Sequence, residues 1–62
     1  MSTPNEHITG SAVLRSGARI EVDEYLYVPP GTSGKELVEQ LRRQDAFQAL
    51  DVVSFDIARR RL

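Results

Sequence analysis

The chain contains no cysteine, and histidine and lysine each occur once. Without cysteine, disulfide frameworks, thiolate metal sites and cysteine nucleophiles are all excluded. Apolar runs are only a few residues long, and residues 1–7 have no apolar segment, so the sequence predicts neither a membrane span nor a signal peptide. We therefore expect a cytoplasmic protein without a metal ion or other cofactor.

The composition also lacks an excess of either charge. The net charge is -1, with 40% apolar and 27% charged residues, which is typical of a globular protein. No overall attraction to nucleic acid or to a membrane surface follows from this balance. A chain of 62 residues has room for one domain with one core, because a chain this short buries only about 60% of the surface that its unfolded form exposes.

From Ile8 to Val28 the apolar residues fall mostly on even-numbered positions, with polar residues or tyrosines between them. A period of two predicts β-strands. Residues 1–6 have no apolar side chain after the initiator, so we expect a flexible N-terminus followed by a single folded domain over residues 7–62.

Residues 15–17 (Arg-Ser-Gly) interrupt the alternation and determine how the first two strands pair. A two-residue loop would pair Val13 with Ile20 and mix apolar and polar side chains on both faces. A three-residue loop, closed by Gly17 in the left-handed conformation, pairs Ala12 with Ile20 and sorts the apolar side chains onto one face. We predict the three-residue loop.

A helix is predicted after the second strand. Residues 29–31 (Pro-Pro-Gly) end that strand, since proline has no N–H to donate to a strand ladder. Ser33 and Glu36 have the S-x-x-E spacing of a capping box, which marks the start of a helix. The apolar stripe ends at Leu41, so the helix should end near residues 44–47.

Residues 49–62 fit two patterns. Phe47, Leu50, Val53 and Ile57 have a helical spacing, but Val53, Phe55 and Ile57 also alternate with polar or small residues. We favour a strand, because valine, phenylalanine and isoleucine are strand formers. The predicted fold is α+β in the order β-β-α-β, with a three-stranded, mainly antiparallel sheet of order 2-1-3 and one helix packed on one face.

The predicted core follows from the apolar face of each element. Glu24 falls on the same face by parity, which predicts a bulge nearby or a carboxylate at the sheet rim. The core residues are Ile8, Ala12, Leu14, Ile20, Val22, Leu26, Val28, Leu37, Val38, Leu41, Val53, Phe55 and Ile57.

One helix cannot cover both faces of a three-stranded sheet, so the other face should stay open. Two tyrosines on that face make a plausible recognition surface, because tyrosine is enriched at the centres of protein interfaces. The alternative is that they pack on strand neighbours such as His7. The candidate partner-binding residues of this face are Arg19, Glu21, Asp23, Tyr25 and Tyr27.

The C-terminal run Arg59, Arg60 and Arg61 is the second candidate for partner binding, with phosphates or an acidic protein surface as its targets. On a strand these arginines alternate between faces, so a solvated tail is the alternative. The acidic segment 21–24 has the opposite charge and could either form its own patch or pair with the arginines. Such bipolarity suits a protein partner better than a nucleic-acid backbone.

No catalytic arrangement is predicted. His7 has no second metal ligand or oriented partner in the sequence, and the serines lack a nearby base. Residues 31–35 precede a helix but lack the G-x-x-x-x-G-K-[ST] spacing of a phosphate loop. We therefore do not expect an enzyme.

The element order and size of residues 8–62 resemble those of small phage-encoded inhibitors, such as those that inhibit RNA polymerase, which also combine a sheet with opposed acidic and arginine patches. The resemblance implies a host enzyme complex, or defence machinery, as the target. The leading hypothesis is a non-enzymatic protein-binding module. The alternatives are a single-stranded nucleic-acid-binding protein that uses arginines and tyrosines, and a homo-oligomeric assembly subunit.

Overall fold

The computed structural model describes residues 3–62, which form one three-stranded antiparallel sheet with helical segments between its second and third strands. The strand order β2-β1-β3 places the first strand in the centre. The predicted α+β fold and strand order are therefore confirmed. The elements are β1 (Glu6–Leu14), β2 (Arg19–Leu26), α1 (Gly34–Arg42), α2 (Asp45–Gln48) and β3 (Val52–Arg61).

The hairpin between β1 and β2 has the predicted three-residue loop. Gly17 has a φ of 94°, its N–H donates to the Leu14 carbonyl at 2.9 Å, and the Leu14 N–H donates to the Ala18 carbonyl at 2.8 Å. Ala12 consequently lies opposite Ile20. Glycine fits this position because other residues rarely adopt a positive φ.

Helix α1 begins with the predicted capping box. The Glu36 N–H donates to Ser33 Oγ at 3.1 Å, and the Ser33 N–H donates to Glu36 Oε1 at 3.4 Å. The helix ends earlier than predicted, at Arg42, and the chain makes a second, one-turn helix before β3. This path buries Phe47, whose ring packs edge-to-face against Phe55 with the ring centroids 5.4 Å apart.

Strand β3 contains a bulge that corrects the predicted core. Leu14 lies opposite Val52 while Val13 lies opposite Ser54, so Val53 is an extra residue. Val52 is therefore 8% exposed and Val53 43% exposed, the reverse of the prediction. After the bulge, the alternation that includes Phe55 continues as predicted.

The Arg42 side chain covers the bulge from α1. It donates to the Val52 carbonyl at 2.8 Å and to the Val53 carbonyl at 3.3 Å, and its guanidinium lies 5.4 Å from the centre of the Phe55 ring. These contacts give the Val52 and Val53 carbonyls a hydrogen-bond donor at the bulge, which stabilises the irregular start of the strand.

A single apolar cluster lies between α1 and one face of the sheet. Five of the predicted core residues, Leu14, Ile20, Leu26, Phe55 and Ile57, pack against its margin and are only partly buried, and Val38 is also half-buried. Phe47 and Val52 belong to the core although neither was predicted. The buried core consists of Ile8, Ala12, Val22, Val28, Leu37, Leu41, Phe47 and Val52.

The N-terminal segment contributes to the fold before His7, the residue at which the folded domain was predicted to begin. Of the segment 1–6, Met1 and Ser2 lie outside the described residues. The Asn5 side-chain amide donates to the Val28 carbonyl at 2.8 Å and accepts from the Val28 N–H at 2.7 Å. Asn5 thus satisfies both backbone groups of Val28 beyond the end of β2.

Gly10 lies in the centre of the sheet with a φ of 140°. A Cβ atom there would lie 2.1 Å from the Asp56 carbonyl oxygen and 2.8 Å from the Ile57 Cα. We expect Gly10→Ala to destabilise the protein by about 2 kcal/mol or more, since backbone strain alone costs roughly 1–3 kcal/mol. Urea unfolding measures this difference.

Gly34→Ala is the matched control for this substitution. A Cβ atom at Gly34 meets nothing within 4 Å, and the residue opens α1. The control should therefore leave the free energy of unfolding unchanged or raise it by up to about 1 kcal/mol. Equal stability of the two variants would contradict the close approach of β3 to Gly10.

Candidate functional site: the open face of the sheet

The face of the sheet opposite α1 has no other element packed on it within residues 3–62. Odd-numbered residues of β1 and β2 project there, because Ile8, Ala12 and Val22 occupy the buried face and strand side chains alternate. Tyr25 is 58% exposed and Tyr27 43% exposed. Both tyrosines are thus exposed, while their role in partner binding stays a prediction.

A cluster of three side chains orients the Tyr25 ring. His7 lies opposite Tyr25, and the two rings stack with their centroids 4.2 Å apart and their planes 5° from parallel. His7 Nε2 lies 2.5 Å from Asp23 Oδ1. A carboxylate can only accept, so the imidazole N–H donates. The His7 side chain is only 19% exposed, so it supports the more exposed tyrosine.

The sequence interpretation gave His7 no functional role and named it only as a strand neighbour on which the tyrosines could pack, which is how it contacts Tyr25. Its position was implicit in the hairpin register. A loop that pairs Ala12 with Ile20 also pairs His7 with Tyr25, five residues further from the turn on each strand. What the sequence did not provide was the rotamer of each ring. Arg60 lies opposite His7 on its other side, so it extends the same row of the open face.

Arg59 differs from Arg60 and Arg61 because its side chain is held by hydrogen bonds within the protein. Its guanidinium donates to the two carboxylate oxygens of Glu6 at 2.8 and 2.9 Å, and to the Thr32 carbonyl at 2.9 Å. The hydrogen bonds to Arg59 lower the pKa of Glu6 below its usual value, and the same pairing raises the pKa of Arg59. Arg59 therefore joins β3 to β1 and to the loop before α1.

The remaining arginines are exposed at the end of β3. Arg60 belongs to the open face, opposite His7, while Arg61 lies opposite Glu6 and belongs to the other face. The run therefore alternates between faces, as expected for a strand, and presents one arginine to the open face. The role of Arg59, Arg60 and Arg61 in partner binding stays a prediction.

Acidic residues occupy the middle of the open face. Glu21 and Asp56 lie on either side of Ser11 in one cross-strand row, and Asp23 is in the next row. Arg19 donates to Ser11 Oγ at 3.2 Å, which holds its positive charge beside this group. The face is thus acidic in its centre, with Arg19 at one end and Arg60 at the other.

Glu24 and Tyr27 lie outside this central group. Glu24 is opposite Ile8 on the side of α1 and is half-buried, consistent with the predicted rim position. The Tyr27 carbonyl accepts a hydrogen bond from Gln40 Nε2 at 3.2 Å, so its backbone is fixed to α1. Beside that contact runs a shallow groove of about 460 Å³, lined by Pro29, Thr32, Glu36, Glu39, Gln40 and Arg43.

The described residues contain no group of three or more histidine, aspartate or glutamate side chains arranged to hold a metal ion. The contacts of His7 are a stacked ring and a carboxylate. This arrangement fixes an aromatic side chain. Ser11 Oγ, on the same face, accepts a hydrogen bond from Arg19.

In comparisons with known proteins, no family model matches the chain, and no curated protein or solved structure matches it either. Over residues 3–62, no helix has the length and apolar character required to cross a membrane.

The Glu6–Arg59 pair predicts a component of acid sensitivity. The folded-state pKa of Glu6 is below the reference value of 4.5, so its stabilising contribution is complete above that pH and is lost as the pH falls through the folded-state pKa. We expect Glu6→Gln to lower the melting temperature at neutral pH and to make its decline below pH 4.5 less steep than in the wild type.

The measurement is thermal unfolding followed by circular dichroism over a series of pH values. Arg60→Ala is the control, since it removes a neighbouring arginine without touching Glu6. It should leave the acid dependence of the wild type in place. A Glu6→Gln variant with the same slope as the wild type would show that the pair does not contribute.

Proposed function

We propose that this chain is a non-enzymatic protein-binding module that contacts its partner with the open face of the sheet. The observation that carries the proposal is the exposed Tyr25 ring, stacked on His7 and fixed through Asp23. A ring that is already ordered loses little conformational entropy on binding. Exposed tyrosines are also among the residues that most often dominate binding energy at protein interfaces.

The distribution of charge favours a protein partner. The centre of the open face has the carboxylates of Glu21, Asp23 and Asp56, while Arg60 lies at one end. A nucleic-acid backbone requires a continuous positive surface. On the open face these carboxylates separate the arginines, so the positive charge is not continuous. Arg59, whose guanidinium is bound to Glu6, adds nothing to the positive surface. A protein surface with both acidic and basic groups would complement this face better.

In its more specific form, the proposal is a small phage-type inhibitor or adaptor that acts on a larger cytoplasmic host complex, such as RNA polymerase or defence machinery. The support is the element order and the presence of an acidic region and arginines on one small sheet. This form rests on a likeness of architecture, whereas the protein-binding proposal rests on the Tyr25 cluster.

The test is affinity capture from lysate with the wild type and with two variants, followed by measurement of affinity for the purified partner. Tyr25→Ala removes the ordered ring, and a central tyrosine contributes about 2 kcal/mol or more to binding. We therefore expect it to weaken binding by about thirtyfold. Arg60→Glu reverses the charge next to His7 and should weaken the same interaction.

Lys35→Glu is the matched control for Arg60→Glu, because it makes the same charge change at an exposed position on α1, away from the open face. It should capture the same partner as the wild type. Equal capture by all four proteins would show that the open face is not the binding surface. If the captured species is an oligonucleotide whose affinity falls steeply with salt, the nucleic-acid alternative replaces the proposal.

A further inference from the structure

Strand β2 has an outer edge that pairs with nothing in the described residues, since β1 is its only neighbour. Leu14 and Ala18 are a hydrogen-bonded pair at the turn, and bonded and non-bonded pairs alternate along an antiparallel ladder. The backbone groups of Ile20, Val22 and Glu24 therefore face β1. Those of Arg19, Glu21, Asp23 and Tyr25 point outward.

The other edge of the sheet is closed in its first half. The bulge at Val53 breaks the regular ladder, and Arg42 occupies the Val52 and Val53 carbonyls. Bulges and covering side chains are the usual means by which proteins protect sheet edges from pairing. Strand β2 has no bulge within its register and no proline, so its edge is regular over its whole length and can accept another strand.

The open-face side chains of β2 are self-complementary in charge. In order along the strand they are Arg19, Glu21 and Asp23, so this face of β2 is positive at one end and negative at the other. When two such strands run antiparallel and centre on Glu21, each Arg19 lies opposite Asp23 of the other strand. Asp23 can accept this contact because only its Oδ1 is engaged, by His7. On the other face, the same alignment places Ile20 opposite Val22.

We propose that β2 is the contact between two copies of this chain, which pair antiparallel about a two-fold axis at Glu21 to form a continuous six-stranded sheet. The alignment joins the outward backbone groups of Arg19, Glu21 and Asp23 in both copies. It also covers Ile20, which is half-exposed at the margin of the core. A two-fold contact of this kind closes on itself and does not extend into a filament.

The dimer does not depend on the proposed function, although it would place two Tyr25 rings on one extended face. It has one unfavourable feature, because Glu21 of each copy meets the other at the axis. Like charges directly opposite one another weaken strand pairing. The two Arg19–Asp23 contacts flank this site and offset it in part.

Sedimentation equilibrium of the full chain over a range of concentrations tests the proposal. The wild type should show a reversible monomer–dimer equilibrium. Arg19→Asp and Asp23→Arg each place like charges opposite one another twice, so each should weaken dimerisation by about tenfold or more. Glu21→Gln removes the repulsion at the axis and should strengthen it. Circular dichroism confirms that each variant is folded.

Mixing the two single variants provides the sharpest result. In a mixed pair, the aspartate introduced at position 19 of one copy faces the arginine introduced at position 23 of the other, and the native Asp23 of the first copy faces the native Arg19 of the second. Both contacts are restored, so a heterodimer should form from two weakly associating proteins. Arg43→Asp, the same charge change at the C-cap of α1, should dimerise like the wild type. A monomer at all concentrations, or a dimer that responds equally to all these changes, would overturn the proposal.

Discussion

The hydrogen bonds of the β1–β2 turn are the constraint on which the rest of the structure depends. The Leu14 N–H bonds to the Ala18 carbonyl, and Gly17 takes up the positive φ that a three-residue loop requires. This register directs Ile8, Ala12 and Val22 toward α1. Because α1 covers one face only, the same register decides which side chains remain on the open face. A slip of one residue would exchange the two sets.

Local signals were sufficient to predict the architecture. The alternation of apolar residues identified the strands, the Ser33–Glu36 capping box identified the helix start, and Gly17 identified the loop. Each of these signals lies within a few residues of the feature it specifies, so no knowledge of the tertiary structure is required. The open face and its two exposed tyrosines followed from the same alternation.

The details that sequence reasoning missed depend on contacts between distant residues. Val52 and Val53 are equally good strand residues, and only the bulge opposite β1 makes the first buried and the second exposed. Phe47 is buried because the chain turns to bring it against Phe55, 8 residues further along. Arg59 binds Glu6 across 53 residues. Such contacts depend on the register of β3 against β1, for which no local turn provides a signal.

The central claim is that the hairpin register places Tyr25, His7 and Asp23 on the open face. Nuclear Overhauser effects between β1 and β2, measured by NMR in dilute protein, test it most directly. The three-residue loop predicts a close Hα–Hα contact between His7 and Tyr25, which lie opposite each other as a non-hydrogen-bonded pair. An Hα–Hα contact between Ile8 and Tyr25 in its place would mean the two-residue loop, with β1 shifted by one residue against β2, and would contradict the register.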